Sequence, residues 1–282
     1  MIKLALPKGR LTEGVIELLS EAGLKIQKKD RNYRLTSNDP DLDIKMFKTQ
    51  NIPKLVELGS QDIAFTGADW MIEQDADIEE LLDLSFNPVR IVAAVAQETD
   101  KDSLKRKTIR VASEYENITR NYLEEKGYKF VFIRSYGATE VFIPEDADMI
   151  IDNTSSGSTL KENNLKVIDT VIESSTRFIA NRDSMRDLQK KRKINNLLML
   201  MRSAMEARKR VLLEMNVSSE KLDSLLPILP CMKSPTVSKL FSEEGYAVKI
   251  AIEKDRIPRL IPLLKEKGAS DILVFNLQNV IV

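Results

Sequence analysis

Seven small residues in a row, Asn153 to Thr159, separate the apolar run Met149-Ile150-Ile151 from a helix-like segment beginning at Leu160. Six of the seven carry a hydroxyl or an amide, and the seventh is Gly157. Asp152 stands between the apolar run and this loop. A strand, a carboxylate, a hydroxyl-rich turn and a helix start make a nest of backbone N–H groups. The helix N-terminus adds roughly half a positive charge and free N–H groups, which suit a phosphate dianion. Ser155, Ser156, Ser158 and Thr159 add hydroxyl donors, and Gly157 allows close approach of the backbone. Thr159 and Glu162 have capping-box spacing. The plain alternative is an ordinary capped loop, because Ser, Thr, Asn and Gly are the usual turn residues. The GxxxxGK[ST] spacing of a P-loop is absent. Asp152 tips the balance toward a phosphorylated sugar, since a strand-end carboxylate beside the nest can accept hydrogen bonds from pentose hydroxyls.

The rest of the composition narrows the chemistry further. The chain contains no histidine residue, which excludes a Ser-His-Asp triad, an HExxH zinc site and an imidazole base. Carboxylates, Lys, Arg, Tyr and backbone amides remain, with a hard ion such as magnesium suited to carboxylate and phosphate oxygens. The single Cys231 allows no internal disulfide and reads as a small buried hydrophobe. With 43 basic and 43 acidic residues the net charge is zero, so nothing global draws the chain to nucleic acid or anionic lipid. No apolar run nears the ~18 residues of a membrane span, and no signal-peptide pattern opens the chain. A cytoplasmic protein is expected.

These residues need elements to position them. At 282 residues the chain is long enough for about two domains, or three small ones. One unit occurs twice: strand "IKLAL" (2–6), helix 12–21 and Gly23 leading to a second strand, then strand "IRVA" (109–112), helix 117–126 and Gly127 leading to another. Short helices at 54–58 and 140–144 lead to the strands "DIAFTG" (62–67) and "DMIIDN" (148–153). The alternation predicts α/β architecture with parallel sheets in two lobes, like a periplasmic binding protein, with a ligand cleft at the strand ends. Lobe I is expected over 1–88 with 177–207 and lobe II over 89–176. A long amphipathic helix is expected from Asp183 to Ala207, its basic stretch Lys190 to Lys193 forming a solvated face. From 208 to 282 the order β-α-β-β-α-β predicts a ferredoxin-like domain.

The chain resembles the ATP phosphoribosyltransferase family, the first enzymes of histidine biosynthesis, in their long form. The resemblance runs its whole length, through "LALPKGRL" (4–11), "DIAFTGADW" (62–70), "GATEV" with "IIDNTSSGSTLKENNL", "SSTRFIAN" (174–181) and "SPTVSKL" (234–240). The signature is one residue short between Glu140 and Asp152, and Asn153 stands where an aliphatic residue is usual. The implied reaction joins N1 of ATP to C1 of 5-phosphoribosyl diphosphate and releases diphosphate, with Mg2+ on the leaving group. It implies that residues 154–159 cradle the 5-phosphate and Asp152 holds the ribose hydroxyls, while Lys8 and Arg10 meet diphosphate or triphosphate oxygens. Lys48 and Arg90 are further phosphate candidates. Glu140 either contacts the ribosyl substrate or only compensates a helix dipole. Tyr115 either stacks on adenine or sits at the core edge, and Asp69 faces the cleft beside a core Trp70. The resemblance also implies that residues 208–282 bind free histidine as a feedback inhibitor. Asn216, Thr236 and Asp271 are the candidates there, against a reading of all three as simple caps. A homo-oligomer, dimer or hexamer, is expected. The alternative from the same two-lobed shape is a solute-binding or small-molecule sensor protein.

Overall fold

The computed structural model describes residues 1–27, 33–241 and 244–281. Residues 28–32, 242, 243 and 282, which the expected first lobe and C-terminal domain include, lie outside the described residues. The chain divides into two compact units, residues 1–17 with 25–194 and residues 18–24 with 195–282.

The first unit holds two sheets. Its opening stretch supplies strands β1 (Ile2–Lys8), β2 (Ile26–Gln27), β3 (Arg34–Ser37), β4 (Leu42–Lys48), β5 (Ile63–Gly67) and β6 (Glu79–Asp83). Helices α1 (Thr12–Glu21), α2 (Ile52–Glu57) and α3 (Ala68–Gln74) lie among them. The second sheet takes β7 (Val89–Ala96), β8 (Thr108–Ser113), β9 (Lys129–Arg134), β10 (Met149–Thr154) and β11 (Leu165–Ser174), with helices α4 (Lys101–Leu104), α5 (Glu116–Glu125) and α6 (Ser158–Glu162). Strand β12 (Thr176–Ala180) then returns to the first sheet, followed by α7 (Arg182–Arg186) and α8 (Leu188–Lys209). The strand orders are β2-β3-β4-β1-β5-β12-β6 and β11-β7-β10-β8-β9.

Neither sheet is purely parallel, which corrects the expectation. The β1–β4, β1–β5, β8–β9 and β8–β10 pairs are parallel, whereas β12 runs against both β5 and β6 and β7 runs against both β10 and β11. Strands β7 and β12 are the ones that cross from one sheet to the other. They enter from the opposite end and are not held to the βαβ direction. The near-continuous apolar sequences of β7 and β10 follow from burial on both faces. Ile91, Ala93, Val95 and Ile151 pack toward α5, while Val92, Ala94 and Ile150 pack toward Leu160 and Ala147.

Two expected helices differ in form. Residues 139–142 make a 3-10 turn and not the helix expected over 140–144, because Ile143 precedes Pro144 and is extended at φ −97° and ψ 136°. The long helix is broken at Asp187, which is also extended at φ −69° and ψ 115°. Its carboxylate accepts the backbone N–H groups of Gln189 and Lys190, and so caps α8. In the basic stretch, Lys190 pairs with buried Asp62 at 2.7 Å and Lys193 bridges Asp39 and Asp41. These two lysines tie α8 to the first sheet.

The second unit contains the last residues of α1, most of α8, and β13 (Arg210–Ser218), α9 (Ser219–Leu225), β14 (Thr236–Lys239), β15 (Gly245–Glu253), α10 (Ile257–Glu266) and β16 (Ser270–Asn276). All its strand pairs are antiparallel and the order is β14-β15-β13-β16, the ferredoxin-like arrangement. Val211, Leu213, Met215 and Val217 alternate into one core with Leu225, Leu260 and Leu264 of the helices.

Candidate active site

The loop after β10 is a left-handed turn. Gly157 has φ +78°, Thr154 Oγ1 accepts its backbone N–H at 3.0 Å, and the hydroxyls of Ser156 and Ser158 lie 2.9 Å apart. A Cβ built on Gly157 would meet no atom within 4 Å, so it is the backbone conformation that asks for glycine. Helix α6 starts at Ser158 with Gly157 at its N-cap, two residues before the Thr159 N-cap of the expected capping box. Thr159 is therefore inside the helix, and no side chain caps its N-terminus. Ser155, Ser156, Ser158 and Thr159 are exposed along the turn, and Thr154 is buried at its base.

Asp152 is half-buried at the end of β10. Burial pushes its carboxyl up to about 6, and the negative charges of Glu114 and Glu140 add to the shift. The Asn153 N–H and the Thr139 hydroxyl act in the opposite direction by donating to it. Glu140, in the 3-10 turn, is thus brought into the electrostatic field of Asp152. The main residue that the sequence reading missed here is Thr139. It lies inside the quoted "GATEV" stretch, and its hydroxyl also meets Ser135 at 2.9 Å.

The cations gather at strand ends. Lys8 and Lys48 are register partners at the carboxyl ends of β1 and β4, the position where open α/β sheets bind ligands. Lys8 Nζ donates to Tyr33 Oη at 3.1 Å and lies over its ring. Arg10 is exposed in the turn that follows. Among the described residues Arg10, Lys48 and Arg90 have no ionic partner. Lys8, Arg10, Asp69, Trp70, Tyr115 and Asn153 share the lining of a cavity of about 220 Å³. Arg90 on β7 is the register partner of Thr154, beside the hydroxyl loop. With Ser155, Ser175 and Arg177 it lines a second cavity of about 530 Å³.

Asp69 and Tyr115 show little surface to the smaller cavity, because their polar groups are held by partners within the protein. Asp69 is 5% exposed, and its carboxylate accepts from Tyr115 Oη at 2.8 Å and Ser174 Oγ at 2.6 Å. Tyr115 is 1% exposed and its ring stacks on Trp70 at 4.6 Å, which is the core-edge alternative. Burial and the adjacent Asp69 carboxylate hold its hydroxyl well above the usual tyrosine range. Trp70 is only partly buried, packed against the core of the second sheet. Two further participants escaped the sequence reading. Ser174 sits in the quoted "SSTRFIAN". Glu73 has no motif signal, yet it is buried and accepts the backbone N–H groups of Asn117 and Ile118 at the start of α5.

In the second unit, Asn216 Nδ2 donates to Asp271 Oδ2 at 3.0 Å, as does Ser270 Oγ at 2.9 Å. These donors hold the Asp271 carboxyl below its ordinary range, and its backbone is left-handed at φ +49°. Thr236 opens β14, two strands away from β13, opposite Lys249 of β15. The structure brings Asn216 and Asp271 together and leaves Thr236 apart. Among the described residues no group of three or more acidic side chains is arranged to hold a metal ion, and no helix is long and apolar enough to cross a membrane.

A two-lobed α/β protein with cations and hydroxyls gathered at its strand ends, joined to a ferredoxin-like unit, is the class that these features define. The profile of the ATP phosphoribosyltransferase family matches residues 48–203, and that of the HisG C-terminal domain matches residues 207–279. Curated relatives include the ATP phosphoribosyltransferase of Pelotomaculum thermopropionicum, 41% identical over 99% of both chains. That of Desulforudis audaxviator is 39% identical, also over 99% of both. Among solved structures, a chain of the ATP phosphoribosyl transferase (HisG:HisZ) complex from Thermotoga maritima matches with a TM-score of 0.63 and 28% identity. The match covers 72% of this chain and 99% of that one. The chain belongs to the ATP phosphoribosyltransferase family, in the long form that carries the C-terminal domain. It is a pentosyltransferase of histidine biosynthesis.

Proposed function

We propose that the enzyme transfers the ribosyl 5-phosphate of 5-phosphoribosyl diphosphate to N1 of the ATP adenine, releasing diphosphate. The observation that carries this reading is the juxtaposition at the end of β10. Asp152, raised to about 6, stands beside a left-handed hydroxyl turn, with Arg90 in register across the strand pair. Residues 154–159 hold the 5-phosphate through backbone N–H groups and hydroxyls. Asp152 accepts from the ribose hydroxyls, and its negative charge stabilises the positive charge that builds at C1 as the glycosidic bond breaks. Glu140 adds to that field. Arg90 lies where it can meet the leaving diphosphate, and Lys8, Arg10 and Lys48 take the triphosphate of ATP. The two substrates are thus brought together at opposing strand ends, and positioning supplies much of the rate.

Mg2+ fits this site as a companion of the substrate. No protein cage for it exists among the described residues, and magnesium usually binds through phosphate oxygens and waters. It neutralises diphosphate charge when bound. Lobe I comprises 1–88 with 177–207, lobe II 89–176 and the regulatory domain 208–282. Free histidine binds that last domain at Asn216 and Asp271, whose carboxylate suits an ammonium or imidazole, and Thr236, on the opposite edge strand, stands outside that pair. The enzyme works in the cytoplasm as a homo-oligomer, and histidine acts by favouring one arrangement of its subunits. The decisive assay is diphosphate release, which should require ATP and 5-phosphoribosyl diphosphate together. Binding of the sugar phosphate without turnover would favour a solute-binding protein instead.

A further inference from the structure

Asp69 is an unusual residue to bury. An isolated carboxylate loses several kcal/mol on leaving water, so its partners must be there for it. Those partners all come from beyond its own helix. Ser174 of β11 donates to Oδ1 and Tyr115 donates to Oδ2. One turn further along α3, Glu73 takes the first N–H groups of α5, while its own backbone carbonyl accepts from Asn117 Nδ2 at 2.7 Å. Two acidic residues four apart on one helix therefore grip the segment that carries Tyr115. Gly67 makes room for this, since a Cβ there would overlap Asp69 Oδ1.

The direction of the hydrogen bonds follows from the acceptor. A carboxylate only accepts, so the protons of both hydroxyls are committed to Asp69. The Tyr115 oxygen is left with lone pairs, and Asn153 Nδ2 donates to it at 3.3 Å. The same Nδ2 lies 3.2 Å from Asp152 Oδ1, to which the Asn153 backbone N–H also donates at 2.7 Å. Reversing the Asn153 amide would set its carbonyl oxygen against the Asp152 carboxylate. We propose that Tyr115 is a positioning residue for the transfer reaction: held by Asp69, it fixes the Asn153 amide, which orients the Asp152 carboxylate toward the ribosyl ring. This rests on the role given to Asp152 above. Glu114, Glu140 and the Thr139 hydroxyl also face Asp152, and they are unchanged by the substitutions that follow.

The test combines Tyr115→Phe and Asn153→Leu in a double-mutant cycle on the full-length enzyme. Each single variant should lower kcat about tenfold, the scale of one neutral hydrogen bond, with a smaller change in KM. The double variant should be no slower than the worse single, because both break the same chain. The acidic limb of the kcat/KM profile, set by Asp152, should move to higher pH in both. Asn153 is exposed, so Asn153→Leu reports even if loss of the Tyr115 hydroxyl impairs folding. Additive losses in kcat, or an acidic limb that stays in place in Asn153→Leu, would overturn the relay. A wild-type enzyme that shows no diphosphate release would instead remove the assignment of Asp152, and the relay with it.

Discussion

Replacing Asp152 with Asn should make the ligand-free enzyme more stable while disabling it. The carboxyl titrates at about 6 in the folded protein against an ordinary value of 3.8, a difference of about 2 pKa units. At 1.36 kcal/mol per unit the ionised form costs the fold about 3 kcal/mol. The sign fixes where that cost is felt. Below 3.8 the carboxyl is neutral in both states and costs nothing. As pH rises from 3.8 the unfolded chain ionises first, stability falls, and above about 6 the whole penalty stands. Asn has the same shape without the charge, and its amide oxygen can still accept the Asn153 backbone N–H. Urea denaturation at pH 7.5 should therefore show the variant about 1–3 kcal/mol more stable than wild type, with the gain vanishing near pH 4. Its kcat should fall on the order of a hundredfold, the effect of removing one preorganised electrostatic contact. A variant less stable at pH 7.5 would refute the burial argument. A loss confined to KM would demote Asp152 to a binder of the ground state.

Gly157→Val should leave the fold intact, since a Cβ there meets nothing, yet a β-branched residue resists φ +78°. Calorimetric titration should then show 5-phosphoribosyl diphosphate binding at least tenfold weaker, and native affinity would remove the loop from the site. Arg90→Ala should raise KM for the same substrate by about tenfold, the worth of one charge-assisted hydrogen bond, and leave KM for ATP unchanged. Asp62→Ala should destabilise the enzyme by about 1–3 kcal/mol in urea, because it strands the buried Ser184 hydroxyl and the half-buried donors of Lys190 and the Lys3 N–H. Those donors also depress the Asp62 carboxyl, so the stability it adds above its ordinary 3.8 is lost as pH falls through the lower folded value. Asp271→Asn should weaken inhibition by free histidine in a diphosphate-release assay while transfer without histidine is unchanged.

The elements were legible because their periodicity is strong. The alternating Val211, Leu213, Met215 and Val217 mark a half-buried strand, and both glycines expected to end helices, Gly23 and Gly127, are left-handed at φ +88° and +74°. What failed was direction and ending. A strand run such as "VRIVAAVA" does not reveal whether its neighbours run with it or against it, and both sheets proved mixed. Asp187 interrupts a helical pattern through its own side chain, an effect that hydrophobic spacing cannot register. At the site, the loop and Asp152 were visible because residue types with one use stand in a row. Ser174 and Glu73 were not, since their partners lie at Asp69, Asn117 and Ile118 and only the folded chain brings them together.

The placing of β12 between β5 and β6 sets an order of assembly. All five strands of the second sheet lie between residues 89 and 174, a continuous stretch that contains everything its sheet pairs with. The first sheet is different. Its Phe65 stacks on Phe178 across the β5–β12 pair, and β6 pairs with β12 as well. On a ribosome the second sheet can close while the first still lacks a central strand. Until residue 180 has emerged, β5 and β6 present unpaired edges that invite wrong partners. Slow translation just beyond β11 would prolong that exposure.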